Sequence, residues 1–237
     1  MTPGQSDHFP LALPTLMTQA SPASFTTPSG SLSCDLPKVP PLRINPSWRI
    51  PTPSQCMTWW DTYAMLDNIR DHSLAVTHVA TTITRMTLEK APNLPASCNL
   101  LETVTAAALL HDLAKTYCIR HGGNHAQVGA AWVVALTGNP AIGHAVFHHV
   151  FWPGRIDVRN HFIPLVVAYG DKRVRHNEIV SLEDRMEDLM LRYGTSTSRR
   201  KMILRAHDQI ITIEQQLEQL TGVPLHAHSF DSRRLVQ

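Results

Sequence analysis

Leu109-Leu110-His111-Asp112-Leu113-Ala114-Lys115 closes an apolar, helix-patterned segment with a histidine and an aspartate. Upstream lies Asn68-Ile69-Arg70-Asp71-His72-Ser73, and downstream Ala168-Tyr169-Gly170-Asp171-Lys172. Ile69, His72, Val76, Val79, Ile83 and Met86 step by three and four. That is the period of an amphipathic helix, here with a histidine in its buried stripe. Leu101, Val104, Ala108 and His111 share one face of the next helix, which again ends at a histidine. A buried imidazole needs a partner, so histidines at these positions ask for an explanation.

The same reading extends along the chain. Ser54 to Ala64 forms a helix carrying Trp59, Trp60 and Tyr63 as packing anchors, and Asp67 or Asn68 caps the histidine-bearing helix after it. Asn99 caps the helix that ends at His111, and Asn124 caps one with the stripe His125, Val128, Trp132 and Leu136, stopped by Gly138. Pro140 opens a helix running to His148-His149, and another spans roughly Phe162 to Arg175. Ser181-Leu182-Glu183-Asp184 is a capping-box-like start, and the last helix runs from about Ser198 to Leu220 before Gly222. No segment of any length shows a strand period, so the expected fold is an all-α helical bundle. Residues 1 to 50 are rich in Pro, Ser and Thr and read as a disordered leader. Residues 51–225 read as the helical domain and 226–237 as a C-terminal tail.

The bulk numbers restrict the function classes. With 237 residues of which 43% are apolar, the chain can bury a full core, and a formal charge of +2 is not the basic footprint of a general nucleic-acid binder. Cys34, Cys56, Cys98 and Cys118 form no CxxC pair, which fits reduced thiols in a cytoplasmic protein. No apolar run reaches the ~20 residues of a membrane span, and the N-terminus lacks the pattern of a signal peptide.

Taken singly, each ligand-type residue has a dull explanation. A histidine on an apolar stripe is usually a hydrogen-bonded core residue, and an aspartate near a helix end is usually a cap. Together, His72, His111, Asp112 and Asp171 supply imidazole and carboxylate from three helices. A divalent ion that handles phosphate needs such ligands, with positions left open for water and substrate.

Residues 65 to 175 resemble the HD superfamily of metal-dependent phosphohydrolases. The likeness rests on Asp71-His72-Ser73, Leu110-His111-Asp112 and Gly170-Asp171-Lys172. It implies an α-helical domain with His72, His111, Asp112 and Asp171 around a divalent metal, and Asp112 bridging where two ions are bound. His125-Ala126-Gln127-Val128-Gly129-Ala130 and His148-His149 resemble the extra histidines of dinuclear branches. Helical phase from Val146 favours His149, while the likeness to members with a double histidine leaves His148 open. These segments, with His111-Asp112-x-x-Lys115, resemble the small bacterial HD proteins that hydrolyse diadenosine tetraphosphate. Val150-Phe151-Trp152-Pro153-Gly154-Arg155 departs from the Gly-Tyr-Pro signature of cyclic-di-GMP phosphodiesterases, and the stretch after Asp171 departs from the diadenosine tetraphosphate branch.

The implied chemistry is hydrolysis of a nucleotide-type phosphate ester or anhydride by an activated water. One or two ions of Fe, Mn, Ni or Zn suit the ligand types. Asp112 orients the water or bridges the ions, and Lys115 is the second catalytic candidate, a point charge for phosphate. Lys115, Arg120 and Lys172 are the substrate-binding candidates, with Arg173 and Arg175 as further cations near the phosphate approach. The expected partner is a small nucleotide or phosphorylated molecule, without membrane or general nucleic-acid binding. The sequence leaves the oligomeric state open, a homo-oligomer included. The competing reading is a non-catalytic nucleotide-binding sensor or scaffold with the same fold.

Overall fold

In a computed structural model, residues 36–91, 99–225 and 230 are described. The chain divides into two units, Met1–Cys34 and Asp35–Gln237, and all that follows concerns the second. Its elements among the described residues are α1 (Pro53–Thr62), α2 (Asp67–Lys90), α3 (Leu100–Leu110), α4 (Lys115–His121), α5 (His125–Thr137) and α6 (Pro140–His148). Next come α7 (Phe162–Lys172), a hairpin of β1 (Val174–Arg175) and β2 (Glu178–Ile179), then α8 (Leu182–Tyr193) and α9 (Thr197–Thr221). The all-α expectation holds, apart from this two-stranded antiparallel hairpin. No described helix is long and apolar enough to cross a membrane.

Helix α3 is the centre of the bundle. Eight of its residues are buried, including Val104 and the run Ala106–Leu110, as expected of a helix apolar on all sides. It packs against α2, α6 and α7, and α9 closes the far side against α2 and α7. The α2 stripe of Ile69, His72, Val76, Val79 and Ile83 is buried. Capping side chains set several starts: Asn124 accepts from Ala126 and Gln127 N–H, Asn139 from Ala141 and Ile142, and Ser181 from Asp184. Gly138 and Gly222 end α5 and α9 at positive φ, the conformation glycine adopts without steric cost.

Several local expectations change. Asn99 sits in the left-handed region and makes no side-chain cap. The N-cap of α2 is Leu66, whose N–H is satisfied by Thr116 Oγ1 at 3.0 Å rather than by Asp67 or Asn68. Helix α7 ends at Lys172, and the chain turns into the hairpin instead of continuing helical to Arg175. The buried Arg173 explains part of this: its Nε donates to Val180 O at 2.8 Å, pinning the strand that follows the turn.

The leader expectation is adjusted at its boundary. Residues 1–35 lie outside the described residues. Residues 36–50 have no regular structure but are packed down: Val39, Ile44, Trp48 and Ile50 lie against the core. Pro37 O accepts from Arg155 N, Val39 O bonds His161 Nε2 and Arg49 O accepts from Asn139 Nδ2. Proline density forbids helix and sheet here, yet an extended segment can satisfy its carbonyls from the domain. The tail boundary moves as well, because Phe230 is buried against Arg173 and its carbonyl bonds His78. The rest of the tail lies outside the described residues.

A chain beginning at Pro51 should therefore be less stable than one beginning at Leu36. Four part-buried apolar side chains are lost, about 3 kcal/mol or more in all. That corresponds to roughly 6–12 °C in melting temperature for a domain of this size. Thermal melts of the two truncated chains check this; coincident curves would mean that the segment only rests on the surface.

Candidate metal centre

Four tertiary contacts bring the ligand-bearing helix ends together. Trp60 Nε1 donates to Leu109 O at 2.9 Å, tying α1 to the last turn of α3. Thr116 at the start of α4 holds the entry to α2. Gly170 lets α7 approach α2, since a Cβ there would lie 3.1 Å from Val76 O. The next residue, Asp171, is thereby placed beside His72. On the other side Gly143 allows α6 to cross α5 closely; a Cβ would lie 2.3 Å from Val134 Cγ2. That crossing positions His125, at the start of α5, against His149, just past the end of α6.

His72, His111, Asp112, His149 and Asp171 are all buried. Two overlapping triads, His72–His111–Asp171 and His111–Asp112–His149, each present ligand atoms within 4.8 Å of one another. His72 Nε2 is 3.0 Å from Asp171 Oδ1, and His111 Nε2 is 3.5 Å from Asp112 Oδ2 and 3.9 Å from Asp171 Oδ1. On the opposite side of Asp112, Oδ1 lies 3.4 Å from His125 Nε2 and 3.6 Å from His149 Nε2.

The tautomers follow from the second ring nitrogens. Nδ1 of His72 is 2.9 Å from His176 O, Nδ1 of His111 is 2.7 Å from Ala108 O and Nδ1 of His149 is 2.7 Å from Val146 O. A backbone carbonyl only accepts, so each Nδ1 must carry the proton. The three Nε2 lone pairs are left pointing at one another and at carboxylate oxygens. Facing acceptors of this kind are the arrangement of ligands around a cation, and a carbonyl holding the far nitrogen is how ligating histidines are oriented. His111 Nε2 and Asp112 Oδ1 are buried without a hydrogen-bond partner among the described residues, a costly state that a cation would relieve. The residues therefore fit a divalent metal.

Electrostatics keep the set ready to bind one. Burial lowers the pKa of His111 to about 3 and that of His125 to about 4, so both are neutral near pH 7. Burial opposes ionisation of Asp112, but the Lys115 ammonium on Oδ2 outweighs it and holds the carboxyl well below its ordinary range. Burial opposes Asp171 in the same way and is outweighed by the Lys172 ammonium on its Oδ2.

These shifts predict acid sensitivity. Above about pH 6.5, His111, His125 and the likewise lowered His144 are neutral folded or unfolded and contribute no pH dependence. Below it, the unfolded chain binds protons that the folded chain refuses until about pH 4, or about 3 for His111. Stability should fall as pH drops from about 6.5 toward 4. The two low carboxylates extend the loss only once pH passes below 3.8. Melts of chelator-treated protein between pH 7.5 and 4 measure this, and a flat melting temperature across that range would contradict it.

The structure does not bring His148 into the cluster. Adjacent helical residues point about 100° apart, and the His148 ring packs on His144 and Trp152, at 4.7 and 5.1 Å between centroids. Lys115 Nζ is 2.7 Å from Asp112 Oδ2 with its side chain 34% exposed. The two residues are three apart in a tight turn in which Lys115 N–H bonds Asp112 O at 2.9 Å, and that spacing keeps their side chains within reach. Lys172 contacts Asp171 Oδ2 and is only 12% exposed. Arg120 is exposed near the end of α4, and no described contact joins it to the cluster. Arg173 is a buried structural residue bonded to Tyr169, Val180 and Leu225, and Arg175 is paired with Glu178 outside the site. Neither is positioned to receive phosphate. The His176 carbonyl was invisible to sequence reading, because it comes from the unforeseen hairpin, where His176 has φ 57°. The other two carbonyls had a signal: His111 and His149 each directly follow a helix, so Nδ1 reaches the carbonyl three residues back.

No curated protein and no solved structure matches the chain. The HD domain family model matches residues 69–211, a span that contains every member of the cluster. The chain belongs to the HD domain family, a superfamily of metal-dependent phosphohydrolases.

Proposed function

We propose that this protein is a hydrolase of nucleotide-type phosphate esters or anhydrides with a dinuclear metal centre. The observation that carries the reading is the orientation of three Nε2 lone pairs by three backbone carbonyls, with Asp112 between two groups of histidines. His72, His111 and Asp171 would hold one ion, His125 and His149 a second, and Asp112 would lie between them. When bound, such ions supply Lewis acidity and activate water for attack on phosphorus.

The protein groups supply orientation and charge. Burial opposes the charge on Lys115, and the Asp112 carboxylate outweighs it and raises its pKa, so the ammonium persists across the working range. Being part exposed beside Asp112, Lys115 is the cation best placed to meet phosphate oxygens. His125, the more exposed of the second histidine pair, marks the open side. Dinucleotide polyphosphates are the favoured substrate class, supported by the resemblance of residues 125–130 and His148-His149 to the corresponding segments of HD proteins that hydrolyse diadenosine tetraphosphate. The sensor reading is disfavoured because the whole ligand set is present.

Protein purified anaerobically and assayed for metal content, then screened for phosphate release over nucleotides and dinucleotide polyphosphates with Mn, Fe, Ni or Zn added, tests the proposal. Absence of turnover with every metal and substrate would leave the binding-only alternative.

A further inference from the structure

Each carboxylate of the cluster has a lysine on its Oδ2 atom. Lys115 sits on Asp112 and Lys172 on Asp171. The opposite oxygens, both Oδ1, face histidines. Two anions are thus already balanced by two cations before any ion enters. A divalent cation must bind against both ammonium groups, which repel it over a few ångströms in a poorly screened interior.

The two lysines differ in their freedom to respond. Lys115 is about one-third exposed and can turn into solvent when a metal claims Asp112. Lys172 is 12% exposed. It borders a small cavity walled by Leu182, Arg185 and Met186 of α8 and by Ile203, His207 and Ile210 of α9. Moving its ammonium away from Asp171 would put a charge among apolar side chains and beside the Arg185 guanidinium, which is costly.

We infer that Lys172 is a resident cation of the metal centre: it fixes Asp171 through Oδ2, stays in place when metal binds, and thereby weakens metal affinity. It is a positioning residue and not, as its sequence position suggested, a substrate ligand. The inference rests on the cluster being a metal centre, but not on the substrate.

The sign of the effect separates this role from a structural one. Lys172→Gln keeps an N–H donor for Asp171 and removes the charge. Mn2+ titrated calorimetrically into the full chain stripped of metal should bind the variant tighter than wild type, by about tenfold or more, because one of the two charges repelling the ion is gone. Lys172→Arg, which keeps the charge, should stay close to wild type. If Lys172→Gln is too unstable for titration, the rise in melting temperature on adding Mn2+ is read instead and should exceed the wild-type rise. Weaker or unchanged binding by Lys172→Gln would overturn the inference, because lost structure can only loosen a metal. No Mn2+ uptake by the wild type would sink the metal centre itself and this role with it.

Discussion

Asp112→Asn is expected to empty the metal centre and lower phosphate hydrolysis by about a thousandfold, the rate equivalent of the several kcal/mol that metal ions contribute to such reactions. The reason lies in how many groups this one carboxylate serves. Oδ1 lies 3.4 and 3.6 Å from His125 and His149, and Oδ2 lies 3.5 Å from His111 and 2.7 Å from Lys115. Asparagine preserves the shape but removes the charge. Its amide also places an N–H2 group where an anion is required, either toward the Lys115 ammonium or toward a position where a metal would bind. Metal analysis and phosphate release on the variant check the result. Because Asp112 sits in a turn between α3 and α4, the helical content should be retained by circular dichroism. A full complement of metal together with near-wild-type turnover would show that the buried carboxylate is not a ligand.

The second large effect concerns the number of ions. His125→Ala and His149→Ala should each lower metal content from about two per chain toward one and abolish hydrolysis, since paired ions about 3.5–4 Å apart act together on the attacking and leaving oxygens. The two rings approach to 3.2 Å between their Nε2 atoms, and two ring nitrogens so close share either one proton or one cation. His148→Ala is the control. That ring packs on Trp152 and His144, so metal content should not change. Wild-type metal stoichiometry in both the His125 and His149 variants would favour a mononuclear site built on His72, His111, Asp112 and Asp171.

The sequence by itself determined the helical class and most of the elements. Apolar positions at steps of three and four, Asn124 and Ser181 as caps, and Gly138 and Gly222 as stops act over one or two turns of chain, so their effect can be read locally. It also brought His72, His111, Asp112 and Asp171 forward as ligand types, because histidine in a core stripe is expensive unless partnered.

Only the tertiary structure decided what those side chains face. His149, which helical phase already favoured, faces Asp112, whereas the surroundings of His148, the rings of His144 and Trp152, are known only from the fold. The role of Lys172 depends on α8 and α9 closing over its stem, although those helices lie further along the chain. The hairpin that brings His176 O to His72 is two residues long on each strand, too short for a period-two pattern to register. It is pinned by Arg173, whose partners Val180 and Leu225 are known only from the fold. Residues 36–50 show the same division. Their proline content excludes regular structure, and whether they nevertheless pack was decided by carbonyl acceptors meeting Arg155, His161 and Asn139 across the domain.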